Sequence, residues 1–83
     1  MRTNTKTFKI LKFIIDNDNT RKVEILKNVL GEKQLEGKVL RGYYSSIFAK
    51  LRKKGYIKYN SKTYGYSITP EGLYEVHFSE RMN

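Results

Sequence analysis

Cysteine is absent from the 83 residues, so neither a disulfide framework nor a thiolate metal site is available and apolar packing must hold the chain together unaided. Long apolar runs are absent too. The longest cluster is the interrupted stretch from Phe8 to Ile15, far short of the roughly 20 residues a membrane span needs, and no signal-peptide core is present. A soluble, cytoplasmic protein with no membrane partner is the expectation. Histidine occurs once, at His77, and with no cysteine beside it no metal site is expected. No phosphate loop or glycine-rich dinucleotide motif appears. The carboxylate pairs Asp16/Asp18 and Glu71/Glu75 have no nucleophile beside them. Catalysis, a cofactor and a small-molecule ligand are therefore not expected.

The last shortage is of negative charge, and it is local. Met1 to Glu36 carries eight basic and five acidic residues, whereas Gly37 to Pro70 carries eight basic residues and no Asp or Glu. The net charge of +9 thus belongs mainly to the second half and biases the chain towards polyanionic partners. What is present suits a folded domain: 39% hydrophobic residues, seven tyrosines, four phenylalanines and a single proline. Residues 1–83 are long enough for one core and one domain.

Hydrophobic spacing predicts the elements. Phe8, Leu11 and Ile15, widened by Ile10, Phe13 and Ile14, give a first helix from about Thr5 to Asp16, capped by Thr3 or Thr5. Asn17 to Thr20 is a corner that also starts a second helix, from about Thr20 to Leu30, on Val23, Leu26 and Leu30. Gly31 to Gly42 reads as mixed, with Leu35, Val39 and Leu40 needing burial. A third helix, from about Tyr43 to Lys54, turns Tyr44, Ile47, Phe48 and Leu51 inward, and Gly55 ends it as a left-handed residue. The period then changes to two. Ile57 and Tyr59, then Tyr64, Tyr66 and Ile68, predict a hairpin between residues 56 and 68 with its turn at Asn60 to Thr63. Thr69-Pro70-Glu71 starts a last helix, from Pro70 to about Glu80. The fold class expected is α+β, mostly α: a three-helix core, a two-stranded hairpin and a C-terminal helix.

This layout resembles the winged helix-turn-helix domain. Two phrases carry the resemblance over nearly the whole chain. IFAKLRKKGYI, Ile47 to Ile57, is similar to the end of a recognition helix running into the first wing strand, and YSITPEG, Tyr66 to Gly72, to the exit from the wing in MarR- and PadR-like transcription regulators. The small size and Lys/Tyr-rich character are also similar to stand-alone winged-helix proteins of archaea, their viruses and plasmids. The link between the second and third helices is longer than in the simplest helix-turn-helix motifs.

The resemblance implies a sequence-specific regulator of transcription that binds double-stranded DNA and represses by occupying a promoter. The third helix would enter the major groove with Arg41, Tyr43, Ser45, Ser46, Lys50 and Lys53, Arg41 being the candidate for bidentate contact with guanine. The wing would bring Lys58, Asn60, Ser61 and Lys62 to phosphates or the minor groove. The family commonly dimerises through terminal helices, which implies a homodimer on Leu73, Tyr74, Val76, His77 and Phe78. Two other readings stand beside this one: a winged-helix module that docks on a protein, and a non-specific nucleic-acid binder.

Overall fold

Thr5 sets the start of the first helix. Its backbone is extended, and its hydroxyl oxygen accepts the Phe8 amide at 3.2 Å, which satisfies one of the orphan N–H groups of a helix start. In this computed structural model, which describes residues 2–30 and 38–82 with side chains through 29 and from 45 onward, helix α1 then runs Lys6–Asp16. Phe8, Ile10, Leu11 and Ile14 form its buried face, at the spacing the sequence shows.

The corner after α1 departs from expectation. Asn19 adopts φ +58°, a left-handed conformation that asparagine tolerates better than most residues. The chain leaves it extended, so Thr20–Arg21 form a short strand, β1, instead of the first turn of a helix. Thr20 is β-branched and suits that role. Helix α2 follows as Lys22–Leu30, burying Ile25 and Leu26. Val23, expected on the inner stripe, is instead half exposed.

Helix α3 runs Lys38–Lys53 and so begins before the expected Tyr43. Gly42 lies inside it. One glycine in a helix costs about 1 kcal/mol relative to alanine, too little to stop a helix whose apolar spacing continues through Leu40, Tyr44 and Ile47. The expected burial of Leu35, Val39, Leu40 and Tyr44 lies outside the described side chains. The other end follows the sequence. Gly55 sits at φ +79°, its amide donates to the Arg52 carbonyl at 3.0 Å, and the Tyr56 amide donates to the Leu51 carbonyl at 3.0 Å. These two bonds form a Schellman cap.

The hairpin consists of β2, Ile57–Asn60, and β3, Gly65–Ile68, paired Ile57 to Ile68 and Tyr59 to Tyr66. It is not two-stranded, as expected, but part of a three-stranded antiparallel sheet ordered β1-β3-β2, because Thr20 pairs with Tyr66 and Arg21 with Gly65. Two residues of extended chain after Asn19 were too short a pattern to read as a strand. Tyr64, expected to begin β3, lies in the turn at φ +60°. Gly65 is required where it stands, since a β-carbon there would lie 2.5 Å from the Asn19 carbonyl oxygen.

Thr69 closes the hairpin. Its amide donates to the Tyr56 carbonyl at 3.1 Å, its hydroxyl donates to the Gly55 carbonyl, and the same hydroxyl oxygen accepts the Gly72 amide at 3.1 Å. One side chain therefore joins the end of α3 to the start of α4, Pro70–Met82. Helix α4 buries Gly72, Val76 and Ser79 and reaches α1 through an ion pair between Lys12 and Glu80 at 3.5 Å. The core joins Phe8, Ile10, Leu11 and Ile14 to Ile25, Leu26, Phe48, Leu51, Ile57, Tyr66 and Val76, with every helix and both longer strands contributing. Each such side chain contributes about 1.5–3 kcal/mol of hydrophobic stabilisation when fully buried. Among the described residues, no helix is long and apolar enough to cross a membrane.

Candidate nucleic-acid interface

Helix α3 buries Phe48 and Leu51 and partly buries Ile47, which leaves a broad arc of its surface outside. Two stripes at helical spacing occupy that arc. Ser46, Lys50 and Lys53 are all exposed and fall at i, i+4 and i+7, so the two lysines and the hydroxyl line up along one edge. Ser45, Ala49 and Arg52 fall at the same spacing along the other edge. The Ser45 hydroxyl is already engaged there, accepting a hydrogen bond from the Lys22 ammonium, which also lies 5.5 Å from the centre of the Phe48 ring. Ser45 thus has a partner within the fold. Arg41 lies in the first turn of α3, not ahead of the helix, and Tyr43 in its second; their side chains lie outside those described. No carboxylate occupies that first turn.

The hairpin candidates form a separate group. Lys58, Asn60, Ser61 and Lys62 are exposed and line an open depression of about 670 Å³ together with Asp18, Asn19, Tyr59 and Ser67. Strand alternation puts Lys58 and Asn60 on the opposite face of the sheet from Ile57 and Tyr66. The face carrying Tyr66 looks to α3, its ring lying 4.9 Å from that of Phe48. Helix and hairpin candidates are therefore not merged into one patch. Asn60 also has internal work: its side-chain oxygen accepts the Lys62 amide at 2.9 Å and its carbonyl accepts the Tyr64 amide at 2.7 Å, which fixes the turn.

Between these groups lies an open groove of about 520 Å³, lined by Arg21, Lys22, Val23, Arg52, Tyr59, Tyr64 and Tyr66. Sequence reasoning passed over most of it. Arg52 belongs to a basic run and Tyr59 to the alternating apolar positions of the hairpin, but Tyr59 sits at the rim, 37% exposed, its ring tilted against that of Tyr66 at 5.0 Å and capped by the Arg52 guanidinium at 5.3 Å. Arg21 and Lys22 reach the groove because β1 adds to the sheet. The available signal was an asparagine tolerant of left-handed backbone followed by a β-branched residue. Burial raises the Tyr66 phenol above its ordinary 10.0, Arg52 partly opposing and Tyr59 adding to the shift, so Tyr66 stays a neutral phenol near neutral pH.

Helix α4 presents a different surface. Leu73, Tyr74, His77 and Phe78 are exposed, Tyr74 by 71%, and the Tyr74 and Phe78 rings stack at 6.2 Å. Arg81 joins Tyr74, His77 and Phe78 around a shallow depression, and Met82 is exposed beyond them. Val76 does not belong to this surface. It is 1% exposed and packs into the core, because it shares the inner face of α4 with Gly72 and Ser79. Among the described residues, no group of three His, Asp or Glu side chains could hold a metal ion. In comparison with known proteins, no family model, no curated protein and no solved structure matches the chain.

Proposed function

We propose that the chain is a winged helix-turn-helix protein that binds double-stranded DNA in a sequence-specific way and regulates transcription, acting as a repressor by occupying its site. The supporting observation is the composition of α3, which carries Lys38, Arg41, Lys50, Arg52 and Lys53 with no carboxylate and leaves Ser46, Lys50 and Lys53 exposed along one edge. A helix of this kind fits the major groove, where hydroxyl and cationic side chains reach base edges and flanking phosphates. In this reading β2 and β3 are the wing, with Lys62 at its tip beside the phosphate backbone. Arg41, one turn into α3, is the residue assigned to guanine.

The partner assignment is a second copy of the chain. Leu73, Tyr74, Phe78 and Met82 give α4 an exposed apolar face, and a two-fold pair built on it would offer two α3 helices to successive major grooves about 34 Å apart. Sedimentation of the parent protein should show a dimer that Tyr74→Glu converts to monomer. A monomeric parent at DNA-binding concentrations would remove this part of the proposal.

Selecting bound fragments from random DNA tests the main reading. A recurrent site should emerge, bound more tightly than bulk duplex at every salt concentration. Lys50→Ala and Lys53→Ala should each lower the slope of log affinity against log salt by about 1, uniformly across sequences, whereas Arg41→Ala should relax preference at one base position. Equal affinity for all duplexes would favour a non-specific binder. No duplex binding even at low salt would leave the protein-docking module.

A further inference from the structure

Apart from Arg52, the groove between α3 and the sheet is built from residues that the duplex reading does not use. Three cations converge on it, Arg21, Lys22 and Arg52, and none of its described lining residues is a carboxylate. Two tyrosine rings stand at its open side, Tyr59 at 37% exposure and Tyr64 at 62%. Tyr64 is held there by an uncommon backbone. It takes φ +60°, which a bulky side chain rarely adopts, and its amide is tied to the Asn60 carbonyl at 2.7 Å. Glycine or asparagine would serve that turn with less strain, so packing of the turn does not account for an exposed aromatic ring at this position. Strained residues cluster at catalytic sites, ligand clamps and switch regions.

We propose that this groove binds an unpaired nucleotide of a single-stranded polynucleotide, the base stacking on Tyr64 and the phosphate meeting Arg21, Lys22 and Arg52. Its volume, about 520 Å³, falls within the range of about 300–1,000 Å³ typical of small-ligand pockets. A cationic groove interleaved with exposed aromatic faces is the arrangement that takes unstacked bases without reading their edges. In a duplex those base faces are covered by their neighbours, so the strand must be single at this point. The Lys22 ammonium donates to Ser45 and retains further N–H donors for a phosphate oxygen. The Arg52 guanidinium lies over the Tyr59 ring, which holds its charge at the rim of the groove. This inference goes beyond duplex recognition and does not depend on it.

The test uses the full chain with a labelled oligothymidylate, the same oligomer without its bases, and an oligouridylate. The parent should bind both base-bearing strands more tightly than the abasic one. Tyr64→Asn should weaken the base-bearing strands roughly 10-fold while leaving the abasic oligomer unchanged, since one stacking partner is lost and no charge. Its thermal midpoint should equal or exceed the parent's, because asparagine accepts the left-handed turn; this separates a lost contact from a lost fold. Arg52→Gln should weaken all three oligomers. Tyr64 dependence with either sugar upholds the proposal, and the tighter strand identifies DNA or RNA as the source. Equal binding of abasic and base-bearing strands, or Tyr64→Asn binding like the parent, overturns it. Single-strand binding that survives while duplex binding is absent would strike the regulator reading and leave the groove intact.

Discussion

Phe48→Ala is expected to remove about 3–5 kcal/mol, a quarter or more of the stability of a chain this size. Phe48 is 2% exposed and is among the largest fully enclosed side chains of the described core. It lies where α3, β3 and the start of α2 meet, with its ring 4.9 Å from Tyr66 and under the Lys22 ammonium. Truncating a buried phenylalanine to alanine costs about 3–5 kcal/mol, from lost transfer energy and from the cavity left behind. At about 0.05–0.15 kcal/mol per residue, a chain of this length has only about 4–12 kcal/mol in all. Urea titration followed by circular dichroism should show the midpoint collapse. A loss below about 1 kcal/mol would mean that neighbouring side chains close the gap, and the assignment of Phe48 as the hub of the core would fall. Phe48→Leu, which keeps most of the volume, should cost much less.

Gly72→Ala is the second large effect expected, and it comes from the opposite fault, too much material. A β-carbon on Gly72 would run into the Tyr56 carbonyl, with the carbonyl carbon at 2.9 Å and the Ile68 side chain at 2.8 Å. Backbone cannot turn aside as a side chain can, and the Tyr56 oxygen is also the acceptor for the Thr69 amide. Either α4 lifts from the sheet or that bond breaks, at a cost of about 1–3 kcal/mol or more. Gly55→Ala makes the useful contrast. Nothing lies within 4 Å of its virtual β-carbon, and its penalty arises only from φ +79°. That conformational cost is roughly 1–2 kcal/mol. Hydrogen exchange should show α4 amides losing protection in Gly72→Ala but not in Gly55→Ala. Equal protection in the two would mean that α4 accommodates the methyl group in place.

Much of the layout was legible because it rests on repeated local signals. The apolar spacing of α1, the glycine after α3, the alternation through Ile57 and Tyr66, and the Thr-Pro-Glu start of α4 each involve several residues saying the same thing. The misses are places where a long-range contact decided between local options. Thr20 and Arg21 carry an ordinary helix-start composition and become a strand only because β3 offers an unpaired edge. The end of the mixed stretch, from Lys38 to Gly42, was absorbed by a longer α3. Val76 was counted with its exposed neighbours because helical spacing alone does not say which side of α4 meets the core. The groove was the least legible feature, since Arg21, Lys22, Arg52 and Tyr64 come from three separate segments and only the fold brings them together.

The Thr69 hydroxyl has an evolutionary consequence. The chain leaves the helical body at Gly55 and returns to it at Thr69, and a single side chain bonded to both sides holds that gate shut. Ser61 and Lys62, at the far tip, are exposed, and this latch and the pairing of β3 with its two neighbours hold the base of the hairpin independently of them. Closing a longer flexible loop costs only about 0.6 kcal/mol for each doubling of its length. Descendants of this chain are therefore free to lengthen, shorten or recharge the tip around Ser61 and Lys62, changing what the protein touches while inheriting the same body.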